Sequence, residues 1–113
     1  MAVGKAKLQE RLGNVGRPLT RRGERRAVNA EVMVESSHGM RTTARINDIS
    51  TYGCNVQTSA DWLRSGLFLS IHLTEEHTVQ AIVRWVRDGS GGVEFLRPIP
   101  YAEAEALGAA WNG

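Results

Sequence analysis

A single cysteine, Cys54, leaves no partner for an internal disulfide and no paired thiolates for a zinc site. It is expected as a small buried strand residue rather than a redox centre. The chain contains no run of about 18 apolar residues, so no membrane-spanning helix is encoded. Its start, MAVGKAKLQERLG, also lacks the apolar centre of a secretory signal. The two absences lead to the expectation of a cytoplasmic protein. Catalytic constellations are missing as well. His38, His72 and His77 show neither HExxH nor paired-cysteine spacing, whereas a metal site needs several converging ligands. Ser50 lies in DISTYG rather than in a GxSxG elbow. The glycines at 89, 91 and 92 form no phosphate-cradling pattern and fall between two strand-like segments. The sequence therefore does not read as an enzyme.

What is present suits one domain: 113 residues bury a single core but not two. The net charge of +2 conceals a segregation. Residues 1–26 hold eight basic side chains against Glu10 and Glu24, a net of +6, and the remainder holds six against ten, a net of −4. A basic arm of this kind suggests an anionic partner. Residues 1–19 are expected as a flexible N-terminal arm, with a nascent helix over Lys5 to Leu12 that Gly13 and Asn14 stop.

From Val28 the pattern takes a period of two. Val28, Ala30, Val32 and Val34 alternate with Asn29, Glu31, Met33 and Glu35, SSHG turns the chain, and Thr42, Ala44 and Ile46 continue the inward face opposite Arg41, Thr43 and Arg45. A short strand over Cys54 to Gln57 and a loop with Trp62 and Leu63 follow. Leu67, Leu69, Ile71 and Leu73 then alternate, and after the EEH turn so do Val79, Ala81, Val83 and Trp85. DGSGG (88–92) reads as a turn, and Val93 and Phe95 mark a last strand. Beyond it, Tyr101, Ala104, Leu107 and Trp111 lie three or four apart behind Pro100, the pattern of one terminal helix. Six short strands with no helices between them predict a mainly β fold: a six-stranded antiparallel barrel over residues 20–113 with a C-terminal helix. Trp85 and Phe95 are placed in the core by alternation, and Trp62 is a loop aromatic that can flank a ligand.

Two stretches remain unabsorbed: TRRGERR (20–26), with Arg21, Arg22, Arg25 and Arg26, and DISTYG (48–53). A guanidinium is a rigid fork of donors suited to phosphate oxygens and to the O6 and N7 edge of guanine. Asp48, ionised, only accepts, and suits the N1 and N2 donors of guanine's other edge. The Ser50 hydroxyl and the bare backbone at Gly53 admit close approach.

The ordered pair RR-x-x-x-R and D-x-S-x-x-G, with VRWVRDGSGGVEF near the end, resembles the PilZ domain, a bacterial receptor module for cyclic di-GMP; the similarity covers roughly residues 20 to 111. The resemblance implies a six-stranded barrel with a C-terminal helix, and a cyclic dinucleotide held between the arginines and the D-x-S-x-x-G surface. Its site residues would be Arg21, Arg22, Arg25 and Arg26 with Asp48, Ser50 and Gly53. The form RR-x-x-x-R favours Arg22 with Arg26, but Arg21 with Arg25 satisfies the spacing equally. The function expected is a receptor without a cofactor that orders its arm on cyclic di-GMP and signals to a protein partner in trans. A PilZ-like adaptor that does not bind the nucleotide is the alternative, and the presence of the arginines weighs against it. Nucleic-acid binding through the arm would show steep salt dependence, and the acidic balance of the barrel weighs against that.

Overall fold

The computed structural model describes residues 24–112. The expected arm, its nascent helix, Arg21 and Arg22 lie outside the described residues. Six strands follow in order: β1 (Arg26–Ser36), β2 (Arg41–Ile49), β3 (Gly53–Gln57), β4 (Phe68–Thr74), β5 (His77–Arg87) and β6 (Ser90–Phe95), then α1 (Tyr101–Ala110). They close into an antiparallel barrel in the order β1-β2-β3-β6-β5-β4, with β4 returning to pair with β1 through Val34 opposite Ile71. The expected fold class is observed. Closure gives every strand a partner on both sides, although β1 meets β4 only through Met33–Ser36.

The inward residues of each strand make one core. Val34, Ile46, Ile49, Val56, Leu69, Ile71 and Val83 are almost wholly buried, and each contributes about 1.5–3 kcal/mol by leaving water. Cys54 belongs to the same core. Burial pushes its thiol up to about 12; the charge of Asp48 adds to the rise and that of Arg25 opposes it.

Four register shifts depart from one-to-one pairing; the one between His72 and Thr74 of β4 lies by the β4–β5 hairpin, and the other three set the outer surface. Between Ala27 and Ala30, β1 has three steps against two on β2. The bulge frees the Asn29 N–H, which donates to the Trp111 carbonyl at 3.0 Å and ties the end of α1 to the barrel. Between Ile46 and Asp48, Asn47 is the extra residue of β2 against β3. Between Val83 and Trp85, Arg84 is extra against β6.

This last shift corrects the placement of Trp85. After the bulge its parity is reversed, and the indole lies outside, 46% exposed, across Gly92. A Cβ at Gly92 would stand 2.1 Å from Trp85 Nε1. The reading of DGSGG is corrected too. Asp88 (φ 50°) and Gly89 (φ 81°) alone make the hairpin turn, and Ser90, Gly91 and Gly92 are strand residues of β6. The two strand glycines leave room for Leu63 inside and Trp85 outside. Phe95 is buried as expected.

Pro100 is the cap residue immediately before α1, and the helix carries Glu103 in its first turn. Ala104, Leu107 and Gly108 face the barrel end, where Ile99 joins the core.

Candidate functional site

The alternation of β1 separates two adjacent arginines. Arg26 pairs in register with Ile49, and Ala27 with Asp48. Residues of the parity of Ala27 look outward beside Asp48, and Arg25 is one of them. Arg25 donates from Nη1 to Asp48 Oδ1, forming an ion pair in which the side chains are 53% and 31% exposed.

Arg26 turns the other way, toward the helix. Its Nη2 donates to Tyr101 Oη at 3.1 Å and lies 3.5 Å from Glu105 Oε2. The guanidinium carbon is 5.7 Å from the Tyr101 ring centroid. The stem passes so close to Gly108 that a Cβ there would meet Arg26 Cδ at 2.6 Å. Arg26 thus fastens α1 to the first strand, and Arg25 stands on the outer face.

The D-x-S-x-x-G stretch divides its labour in the same way. Asp48 closes β2 on the outer face. Ser50 is only 4% exposed, and its hydroxyl is engaged in the turn: the Tyr52 N–H donates to Ser50 Oγ at 3.1 Å, and Oγ lies 3.4 Å from the Gly53 carbonyl. Gly53 opens β3 against β6 so closely that a Cβ would stand 2.2 Å from the Val93 carbonyl oxygen. The close approach that Gly53 permits is that of the chain itself. Ser50 and Gly53 therefore fix where the end of β2 sits, and Asp48 is the member of the motif presented at the surface.

From Asp48 a row crosses the outer face: Asp48 opposite Asn55, Asn55 opposite Gly92, and Gly92 opposite Trp85. Gly92 contributes no side chain, so the row is a shallow floor about 10 Å long from Asp48 to Gly92 at the usual strand spacing. The Trp85 indole closes it at one end and the Arg25–Asp48 pair at the other. Bulged Asn47 donates from Nδ2 to Asn55 Oδ1 at 3.3 Å, beside Asp48.

Asn47, Asn55 and Trp85 were not singled out from the sequence as site residues. Asn55 was legible as outward from its alternation with Cys54 and Val56, whereas the bulges that bring in Asn47 and Trp85 carry no compositional mark. Trp62 lies elsewhere: it lines a cavity of about 410 Å³ with Ser36, His38 and Met40, at the end of β1 remote from Arg26.

The floor offers one cation, one carboxylate, two amides and an aromatic face, a set for binding a planar polar group next to a negative one. Among the described residues no group of three or more His, Cys, Asp or Glu is arranged to hold a metal ion, and no helix is long and apolar enough to cross a membrane. No curated protein sequence matches the chain. A family model described as PilZ domain matches residues 19–110, a span that contains the whole barrel, α1 and both arginine pairs. On that match the chain belongs to the PilZ domain family.

Proposed function

We propose that this protein is a non-catalytic receptor for cyclic di-GMP, seated on the outer floor between Arg25 and Trp85. The observation that carries the reading is the juxtaposition of Arg25 and Asp48, which the register of β1 on β2 brings together from 23 residues apart. A guanine needs acceptors for N1–H and N2–H, and a carboxylate supplies them. The phosphate and the N7 edge need donors in a fork, which the guanidinium supplies. The exposed indole offers a face for base stacking.

In this reading the R-x-x-x-R pair is Arg21 with Arg25, because Arg26 is committed to α1. Signalling follows from that commitment. Ligand that clamps Arg25 orders the residue next to the one holding Tyr101, so the arm and α1 respond together and present a changed surface to a protein partner.

Titration calorimetry with cyclic di-GMP tests the proposal. Wild type is expected to bind, and Arg25→Ala and Asp48→Ala to lose about 10- to 100-fold each, the worth of charge-assisted hydrogen bonds. Equal affinity in all three proteins would reject the site. Absence of binding by wild type would reject the function and leave the adaptor reading.

A further inference from the structure

Two asparagines stand beside Asp48, and their mutual hydrogen bond fixes which way one of them points. The Asn47 amide donates from Nδ2 to Asn55 Oδ1 at 3.3 Å. The carbonyl of Asn55 is therefore occupied, and its Nδ2 hydrogens are turned away from Asn47. Among the described residues no acceptor takes them. Asn55 is directly opposite Asp48 in the ladder, so their side chains are neighbours on one face, with Cβ atoms about 5 Å apart. Beyond Asn55 the Trp85 indole lies over Gly92, and Asn55 stays partly exposed between that indole and Asp48.

We infer that Asn55 is a specificity residue that reads O6 of a guanine base and that Asn47 is its positioning residue. The inference rests on the proposed cyclic di-GMP site and deepens it. The Watson–Crick edge of guanine presents, in a line, the N2 donor, the N1 donor and the O6 acceptor. Asp48 offers acceptors, and Asn55, one strand away, offers the donor. The pair makes an acceptor–acceptor–donor edge that matches guanine at all three positions. Adenine has no donor at N1 and carries a donor where guanine has O6. It would therefore leave Asp48 under-satisfied and set an N–H against the Asn55 N–H.

Asn47 governs the outcome because it decides which end of the Asn55 amide is outward. An aspartate at position 47 only accepts, so Asn55 would turn over, donate to it and present Oδ1 to the base instead.

The test compares cyclic di-GMP with its 6-thio analogue, in which a weakly accepting sulfur replaces O6 and the charge is unchanged. The readout is the ratio of the two dissociation constants by titration calorimetry. For wild type the natural ligand should bind about tenfold tighter, the value of one hydrogen bond to the base. In Asn55→Leu, which keeps volume and neutrality, the ratio should collapse toward unity, and Asn55→Ser provides a second variant read by the same ratio. Asn47→Asp should collapse it too, although Asn55 is still present. A merely structural asparagine would lower both affinities and leave the ratio intact, and that result overturns the inference. Failure of wild type to bind cyclic di-GMP at all would instead reject the proposed function on which it rests.

Discussion

Replacing Arg26 by alanine separates the contact that fastens α1 from the ligand contact proposed for Arg25. The Arg26 guanidinium donates to Tyr101 Oη at 3.1 Å, a bond worth about 1 kcal/mol. Its placement over the Tyr101 ring adds about 0.5–1 kcal/mol. The pair with Glu105, 3.5 Å away and largely solvated, adds at most about 0.5 kcal/mol. The stem lies on the helix at Gly108, and two methylenes shielded there are worth about 1–1.5 kcal/mol in all. Arg26→Ala should therefore lose about 3 kcal/mol of stability. In a domain of this size that corresponds to a fall in Tm on the order of 10–20 °C. Arg25→Ala removes only an exposed ion pair and should lose about 0–1 kcal/mol. Urea unfolding followed by tryptophan fluorescence measures both, and a cyclic di-GMP titration on each folded variant supplies the contrast. Arg26→Ala should be unstable but binding-competent, and Arg25→Ala stable but binding-impaired. The opposite pattern, with Arg26→Ala stable and unable to bind, would refute the reasoning and assign the ligand to Arg22 with Arg26.

Gly53→Ala should lose about 3 kcal/mol or more in the same unfolding assay. Its Cβ would stand 2.2 Å from the Val93 carbonyl, and only separation of β3 from β6 relieves the clash; a loss under about 1 kcal/mol would contradict this. Gly92→Ala meets the movable Trp85 indole instead. It should fold with a smaller loss, show red-shifted tryptophan emission and bind cyclic di-GMP more weakly by calorimetry. Cys54 makes stability fall at alkaline pH. Its thiol ionises near its ordinary 9.0 when unfolded and near about 12 when folded, so the folded state binds more protons between those values. Unfolding free energy should drop by up to about 1.4 kcal/mol per pH unit over that window, and Cys54→Ala should flatten the dependence.

The barrel was readable because five of its strands keep strict alternation over most of their length. Val28 to Val34 and Leu69 to Leu73 point inward as their period of two requires. The terminal helix was readable from Ala104 and Leu107 behind Pro100. The bulges were not readable. One inserted residue reverses the parity of everything after it without any change of composition, so the alternation that placed Val83 correctly carried Trp85 to the wrong face. DGSGG misleads for a related reason. Glycine marks both turns and close approaches, and only the partners across the strand show that Gly91 and Gly92 serve the second purpose.

Within the candidate site, Asp48 could be found from its motif. The architectural parts taken by Ser50 and Gly53 depend on the Gly53 and Val93 carbonyls, which sequence does not display. The doubled arginines gave two registers of equal spacing. Their division into an outer-face residue and a helix-fastening residue came from strand parity, a property of the paired β1 and β2 rather than of the RR repeat.

Cyclic di-GMP bound on the outer floor at Arg25 and Asp48, as proposed, would be seen at once in an NMR titration of the labelled protein. Amides of residues 19–26 and 48–53, with the side-chain amide of Asn55 and the indole N–H of Trp85, should shift together along one saturating curve. Residues around Trp62 and Met40, at the remote barrel end, should stay in place. Shifts confined to that remote end, or to the arginines alone with no response at residues 48–53, would contradict the account.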